Sequence, residues 1–324
     1  MNSFGRIFRI HIFGESHGPY VGVTIDGCPE GLALSIDDFE DDLSRRRSGA
    51  PGTTERQEQD VPQIISGWYN GHTTGAPLTI LFANKEVNSA DYERFRDIPR
   101  PGHADFAASK KWRGYNDIRG GGYLSGRLTV ALVAAGVIAK KIIAPVNVYA
   151  TLVKAGGSYD IQEAVDEVMK EGDSIGGLIE CCAHGVPCGW GEPFFDSVES
   201  LLSHILFSIP GVKGVDFGAG FDAADMKGSE FNDVIISPTG QSKENNAGGI
   251  TGGITNGNDL LMTVALRPSS SIKKAQQAFN IVTGKETTFQ IDGRHDACFA
   301  LRVPVIVEAA VAVVLADLMQ ITDC

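Results

Sequence analysis

Residues 128–143 read LTVALVAAGVIAKKII, and residues 303–319 read VPVIVEAAVAVVLADLM. Both are rich in Ala and Val and apolar on most sides, so neither has the polar face that a surface helix carries. The first closes on Lys140-Lys141 shortly before Pro145, the cations and the breaker expected at a helix C-terminus. Helices of this kind belong between layers. Residues 21–26, 77–82, 146–153, 178–183 and 212–217 read as strands, and the first of them runs into the turn Gly27-Cys28-Pro29-Glu30-Gly31. Ser35 is placed to cap a helix over 36–45 with Asp37 and Asp38 in its first turn, and 162–170 and 197–209 read as further helices. The Asn70-Gly71 pair marks a tight hairpin turn.

A short echo links the two ends of the chain. Residues 23–31 end in GCPEG and residues 179–189 end in GVPCG, each with a strand before and an acid-led helix after. The echo predicts two similar halves that bury the two apolar helices between them in an α+β sandwich. No low-complexity linker divides residues 1–324, which predicts a single domain with an internal pseudo-repeat, and the polar, Gly-rich stretch 240–258 reads as a ligand loop.

With 43% apolar residues in 324, the chain can build a large core. Its 28 Lys and Arg stand against 40 Asp and Glu, a formal charge of -12, which disfavours nonspecific binding to nucleic acid or to an anionic membrane. An anionic ligand therefore needs a locally basic pocket. The first residues lack a long apolar leader segment, and no run of about 18 apolar residues is evident, so the expected address is the cytoplasm. The six cysteines show no C-x-x-C spacing and read as reduced thiols.

Five segments mix Gly with Arg, His, Ser or Asp: 14–18, 100–105, 119–127, 267–271 and 293–296. Arg presents a planar fork to carboxylate or phosphate, while Gly and Ser add backbone and hydroxyl donors. Together they describe a site for a polyanion. His17 and His103 lie in loops beside Gly, where a titratable ring can pass protons at neutral pH, and His295-Asp296 pairs a base with an acid. Arg45-Arg46-Arg47 closes the first helix, where its dipole favours cations, and the same triplet can attract substrate. The His spacings lack a zinc pattern, so no metal is expected, and Arg119-Gly120-Gly121-Gly122 is neither a P-loop nor a dinucleotide fingerprint. Composition alone does not choose between a flavin phosphate and a phosphorylated metabolite.

FGESHG (13–18), DLSRRRSG (42–49), RPGHAD (100–105), RGGG (119–122), EGDSIGG (171–177) and GRHD (293–296), in this order, resemble the chorismate synthase family over nearly the whole chain. The resemblance implies a β-α-β-α sandwich with internal pseudosymmetry, a homotetramer, and reduced FMN stacked over 5-enolpyruvylshikimate-3-phosphate. The implied reaction is an anti-1,4-elimination of phosphate and a proton to give chorismate, a step to which an electron-rich flavin lends electron density. By resemblance His17 protonates the departing phosphate, His103 serves the flavin, and Asp296 assists proton removal. Arg46, with its neighbour Arg45, falls where the family binds substrate or NADPH, and Arg127 where substrate oxygens are held. The flavin is expected against Tyr123, Leu124, Ser125, Pro210, Gly211, Gly252, Arg267, Pro268, Ser269, Ser270, Ser271 and Arg294.

The chain departs from the family pattern in places. It reads RGGGYLSGRLT where RGGGRSSARET is usual, so Tyr123 and Leu124 replace an Arg and a Ser. Leu132 replaces a further Arg, residues 50–54 lack another, and Arg267 replaces a Lys. The pocket is therefore expected to be less basic than usual. An NADPH-dependent flavin reductase and a noncatalytic flavin-binding relative are the alternative readings, and an external reductase is a conceivable partner for the lyase.

Overall fold

The computed structural model describes residues 2–54, 58–85, 92–291 and 295–323. Strands β1 (Arg9–Gly14), β2 (Tyr20–Asp26), β3 (Gln63–Ser66) and β4 (Leu78–Ala83) form a first antiparallel sheet in the order β1-β2-β4-β3, with Ser3–Phe4 added outside β1. Strands β5 (Asn147–Ala155), β6 (Gly177–His184), β7 (Val212–Phe217) and β8 (Leu260–Leu266) form a second in the order β5-β6-β8-β7. The two sheets therefore share one strand order. The helices used below are α1 (Glu40–Arg46), α2 (Asp105–Lys111), α3 (Thr129–Ile142), α4 (Ile161–Glu171), α5 (Val198–Leu206) and α6 (Pro304–Asp323). Helix α1 follows the second strand of the first sheet and α5 the second strand of the other, while α3 and α6 each follow the fourth. The echo at 23–31 and 179–189 marks equivalent central strands, so the pseudosymmetric α+β sandwich expected from the sequence is the observed fold.

Alternation along each strand explains why the sheets face inward. Val21, Val23 and Ile25 of β2, Leu78, Ile80 and Phe82 of β4, and Leu260, Met262 and Val264 of β8 are buried at every second position. Helix α3 packs on the first sheet, α6 packs on β5 and β6, and the two helices pack on each other, so one apolar cluster runs through both halves. Ser35 starts its helix as expected, its backbone N–H donating to the Asp38 carboxylate at 2.7 Å, but the first turn, Ile36–Phe39, is a 3-10 helix that passes into α1.

One expectation needs correcting. Residues 304–322 are long and apolar enough to cross a membrane by length and composition, but 78% of that window is buried inside the protein. Between two sheets a helix is solvated by apolar side chains on every side, which produces the same composition as lipid does.

The helices touch at Gly136. A Cβ there would lie 2.3 Å from the Ala309 Cβ and 2.5 Å from its Cα, closer than carbon atoms approach. Gly136→Ala is accordingly expected to push α3 off α6 and to destabilise the protein by about 1–3 kcal/mol, the usual scale of overpacking, with Gly136→Val worse. Urea unfolding of the three proteins checks this.

Candidate active site

Loops from both halves meet at one end of the helix pair and enclose a cavity of about 390 Å³. His17 enters from the turn between β1 and β2, Arg46 from the last turn of α1, and Arg127 from the 3-10 turn Gly126–Leu128 ahead of α3. Ser269, Ser271, His295 and Asp296 enter from the second half. The Asn84 side chain fastens this arrangement. Its amide N–H groups donate to the Glu15 and Gly18 carbonyls at 3.0 and 2.8 Å, and its oxygen accepts from Arg127 Nε at 2.9 Å. The turn that carries His17 and the guanidinium of Arg127 are thereby set by one residue.

The glycines of 119–122 serve close approach. Gly120, Gly121 and Gly122 all have left-handed backbones, and a Cβ on Gly120 would sit 2.5 Å from the His17 ring. Arg119 is turned the other way, bonded to the Asp117 carboxylate at 2.7 Å and lining neither cavity described here. The EGDSIGG segment acts on the opposite wall. The buried Ser174 hydroxyl donates to the Ser269 carbonyl at 2.7 Å and fixes the 267–271 loop.

Arg46 and Arg127 are both buried and share the carboxylate of Asp60, which is 1% exposed. Arg46 Nη1 donates to Asp60 at 2.8 Å, and Arg127 Nη1 donates to its other oxygen. Burial, opposed by Asp60 and reinforced by the Arg127 and Arg302 charges, lowers the Arg46 guanidinium to about 9, so it remains a cation at neutral pH. Asp296 is also paired, accepting from the Thr54 N–H and from Arg302 Nη2, both at 2.7 Å. Beside it, burial and then the charge of Arg100 lower His295, favouring its neutral ring. Its Nε2 is enclosed without a hydrogen-bond partner among the described residues, a polar atom left over for a ligand.

His103 stands at the start of α2 in a tight cluster. Its Nδ1 lies 2.7 Å from Asp105 and 3.1 Å from Arg100 Nη2. The shorter contact to an anion assigns the proton to Nδ1, leaving Nε2 for chemistry. Arg100 grips Asp105 with Nε and Nη2, both at 2.8 Å, and lies 4.3 Å over the Phe95 ring. Phe95 in turn packs on Phe289 and Ile291, so a small satellite core supports the His103 segment.

His103 and Ser125 also line a second cavity of about 520 Å³, and Ser125 lines both. Its walls include Tyr123, Leu124, Leu132, Ile205, Pro210 and Gly211, with Arg267 and Lys213 as cations. This volume and its apolar walls suit a ring-shaped cofactor. The 267–271 loop is thus divided, with Arg267 on this side and Ser269 and Ser271 on the other. Pro268 and Ser270 line neither; the Pro268 carbonyl accepts from Arg267 Nη1, and Ser270 sits against Gly102.

Two of the residues expected at the site, Arg45 and Gly252, line neither cavity. Arg45 points about a quarter-turn away from Arg46, as successive helical residues must, and donates to the buried Glu308 of α6 at 2.6 and 2.8 Å. It joins Lys140 in neutralising that carboxylate and has no place in the cavity. Gly252 is the exposed apex of the hairpin Ile250–Thr251/Ile254–Thr255, and residues 240–258 line neither cavity because the side chains of Asn245, Asn246 and Asn258 bond within their own neighbourhood. Arg294 lies outside the described residues. Asp60 and Arg302 were not singled out from sequence, and Arg100 and Asp105 only as the ends of segment 100–105, because the pairings among these residues are too distant along the chain, or too ordinary in spacing, to be read there.

A fold of two repeated halves with an arginine-lined, histidine-bearing cavity defines an enzyme acting on a small polyanion. The family model for chorismate synthase matches residues 8–320. A chorismate synthase of Chitinophaga pinensis is 56% identical over 320 residues, covering 98% of this chain and 96% of that one. One of Sulfurisphaera tokodaii is 44% identical, covering 98% and 89%. A crystal structure of chorismate synthase superimposes with a TM-score of 0.74 at 25% identity, covering 98% of this chain and 93% of the other. The chain belongs to the chorismate synthase family. It is a carbon–oxygen lyase of the shikimate pathway, converting 5-enolpyruvylshikimate-3-phosphate to chorismate with loss of phosphate.

The Asp105 cluster has a pH signature. Burial alone would raise the Asp105 carboxyl, but hydrogen bonds from Arg100 and His103 outweigh it and hold the group well below the usual carboxylate range. A depressed folded value adds stability above the unfolded value of about 4 and loses it as pH falls through the folded one. Asp105→Asn should therefore destabilise the protein fully at neutral pH, with the difference from the parent shrinking below about pH 4. Denaturant unfolding across pH 3–7 measures it.

Proposed function

We propose that the lyase works with reduced FMN in the apolar-walled cavity and the substrate phosphate among His17, Arg46 and Arg127. The observation that carries this reading is the junction itself, a cationic cavity and an apolar one meeting at Ser125, with His103 beside the second. Arg267 and Lys213 would hold the FMN phosphate, and Tyr123, Leu124, Leu132, Pro210 and Gly211 would bound its ring. When bound, reduced flavin supplies electron density as the carbon–oxygen bond to phosphate breaks.

The chain's own groups handle binding and protons. Arg46 and Arg127 present cations to phosphate, which loses its hydration on entry and regains charge-assisted bonds. His17 gives a proton to the departing phosphate, and Gly120 keeps its ring seated. His103, its Nδ1 held by Asp105, presents Nε2 to the flavin cavity as the atom that exchanges a proton there. Asp296, oriented by Arg302 and the Thr54 N–H, assists removal of the ring proton. NADPH as reductant, a homotetramer and a cytoplasmic address are part of the same proposal, supported by the family likeness, and exposed Val234, Ile235 and Ile236 support association between subunits.

Anaerobic incubation with 5-enolpyruvylshikimate-3-phosphate, with and without dithionite-reduced FMN, tests this. Chorismate and phosphate should appear only with reduced FMN. Steady NADPH consumption without substrate, and no chorismate, would point instead to a flavin reductase. His103→Ala should retain the fold and lower turnover by about 10² or more, the usual scale of lost acid-base catalysis; unchanged turnover would reject the role.

A further inference from the structure

Asp60 is an anomaly in a site built for an anion. It places a carboxylate against the two guanidiniums best placed for phosphate, and it does so from a left-handed backbone, φ 52°, which non-glycine residues seldom adopt. Orientation does not require it. Arg46 Nε donates to the Thr129 hydroxyl at 3.2 Å and its Nη2 to the Arg127 carbonyl at 3.3 Å. Arg127 Nε donates to Asn84 at 2.9 Å and its Nη2 to the Ala83 carbonyl at 3.4 Å. Four neutral acceptors, from residues 83–84 and 127–129, thus aim both forks already, and what Asp60 adds is one negative charge between the two guanidiniums.

We propose that Asp60 is a positioning residue for product release, a built-in counter-anion that competes with phosphate for Arg46 and Arg127. The reading rests on phosphate occupying the cavity assigned above. Two uncompensated, buried guanidiniums would grip phosphate equally before and after the carbon–oxygen bond breaks. Such uniform binding raises ground-state affinity without speeding the chemistry and slows departure of the product. With Asp60 in place, the pair offers phosphate a net single charge. As phosphate leaves, the carboxylate takes back both Nη1 donors, so neither buried cation is stranded.

The test is a titration of inorganic phosphate into the full chain by calorimetry at fixed ionic strength, on the parent protein and on Asp60→Asn. Asn keeps the shape and tolerates the same backbone. Removing one charge a few ångströms from the ligand should tighten phosphate binding roughly tenfold or more. In turnover with reduced FMN, KM and kcat should both fall, and inhibition by added phosphate should strengthen. Unchanged or weaker phosphate binding by a folded Asp60→Asn protein overturns the proposal, since a merely structural residue moves affinity in that direction. If Asp60→Asn does not fold, the double variant Asp60→Asn/Arg46→Gln removes both charges of the pair; phosphate affinity within about threefold of the parent supports competition, and a loss beyond tenfold refutes it. Parent protein that binds no phosphate, while still making chorismate with reduced FMN, overturns the release role and leaves the flavin assignment standing.

Discussion

Two helices can run side by side only as close as their side chains allow, and at Gly136 there is none. The close approach of Gly136 to Ala309 is one point of an extensive contact between α3 and α6, the helix pair that lies between the two sheets. The site depends on it because its residues come from both halves. Arg127 sits just ahead of α3, and Asp296 and Arg302 just ahead of α6. A displacement between the helices passes directly into the distance between the cations of one half and the acid of the other.

Charge within the site follows one rule. A buried ion is tolerated when a counter-ion and hydrogen bonds replace its water. Arg46 and Arg127 have Asp60, Arg100 has Asp105, and Arg302 has Asp296. Each of these cations is therefore held by a carboxylate of the chain itself, and the positive charge left for a ligand is reduced. The chain as a whole is acidic, so attraction of an anion depends on local clusters of cations such as this one. The neighbouring cavity differs in kind. Tyr123 donates its hydroxyl to the Ile12 carbonyl at 3.3 Å, while Leu124 and Leu132 present hydrocarbon to the cavity.

Much of the fold was legible because its signals are local. Helices apolar on all sides have to be interior, and alternation in β2, β4 and β8 shows which strand face is covered. The repeat surfaced only as a nine-residue echo, since strand order is a property of pairing and leaves little trace in composition. Within the site, His17, His103, Asp296, Arg46 and Arg127 stood out through their Gly-rich surroundings, and the structure brings His17, Asp296, Arg46 and Arg127 around one cavity with His103 at the next. Arg45 and Arg46 could not be told apart, because two adjacent cations at a helix end look alike until one meets Glu308. Asp60 was invisible for the opposite reason: an isolated Asp among polar residues announces neither its left-handed backbone nor a partner 67 positions away.

The central claim is that phosphate and flavin occupy two different cavities joined at Ser125. A crystal structure of the chain with oxidised FMN and 5-enolpyruvylshikimate-3-phosphate tests it most directly. The account predicts the phosphate within hydrogen-bonding distance of Arg46, Arg127 and His17, with the flavin ring against Tyr123, Leu124 and Leu132 beside His103. A phosphate seated away from Arg46 and Arg127, or a flavin ring lying among the arginines, would contradict it.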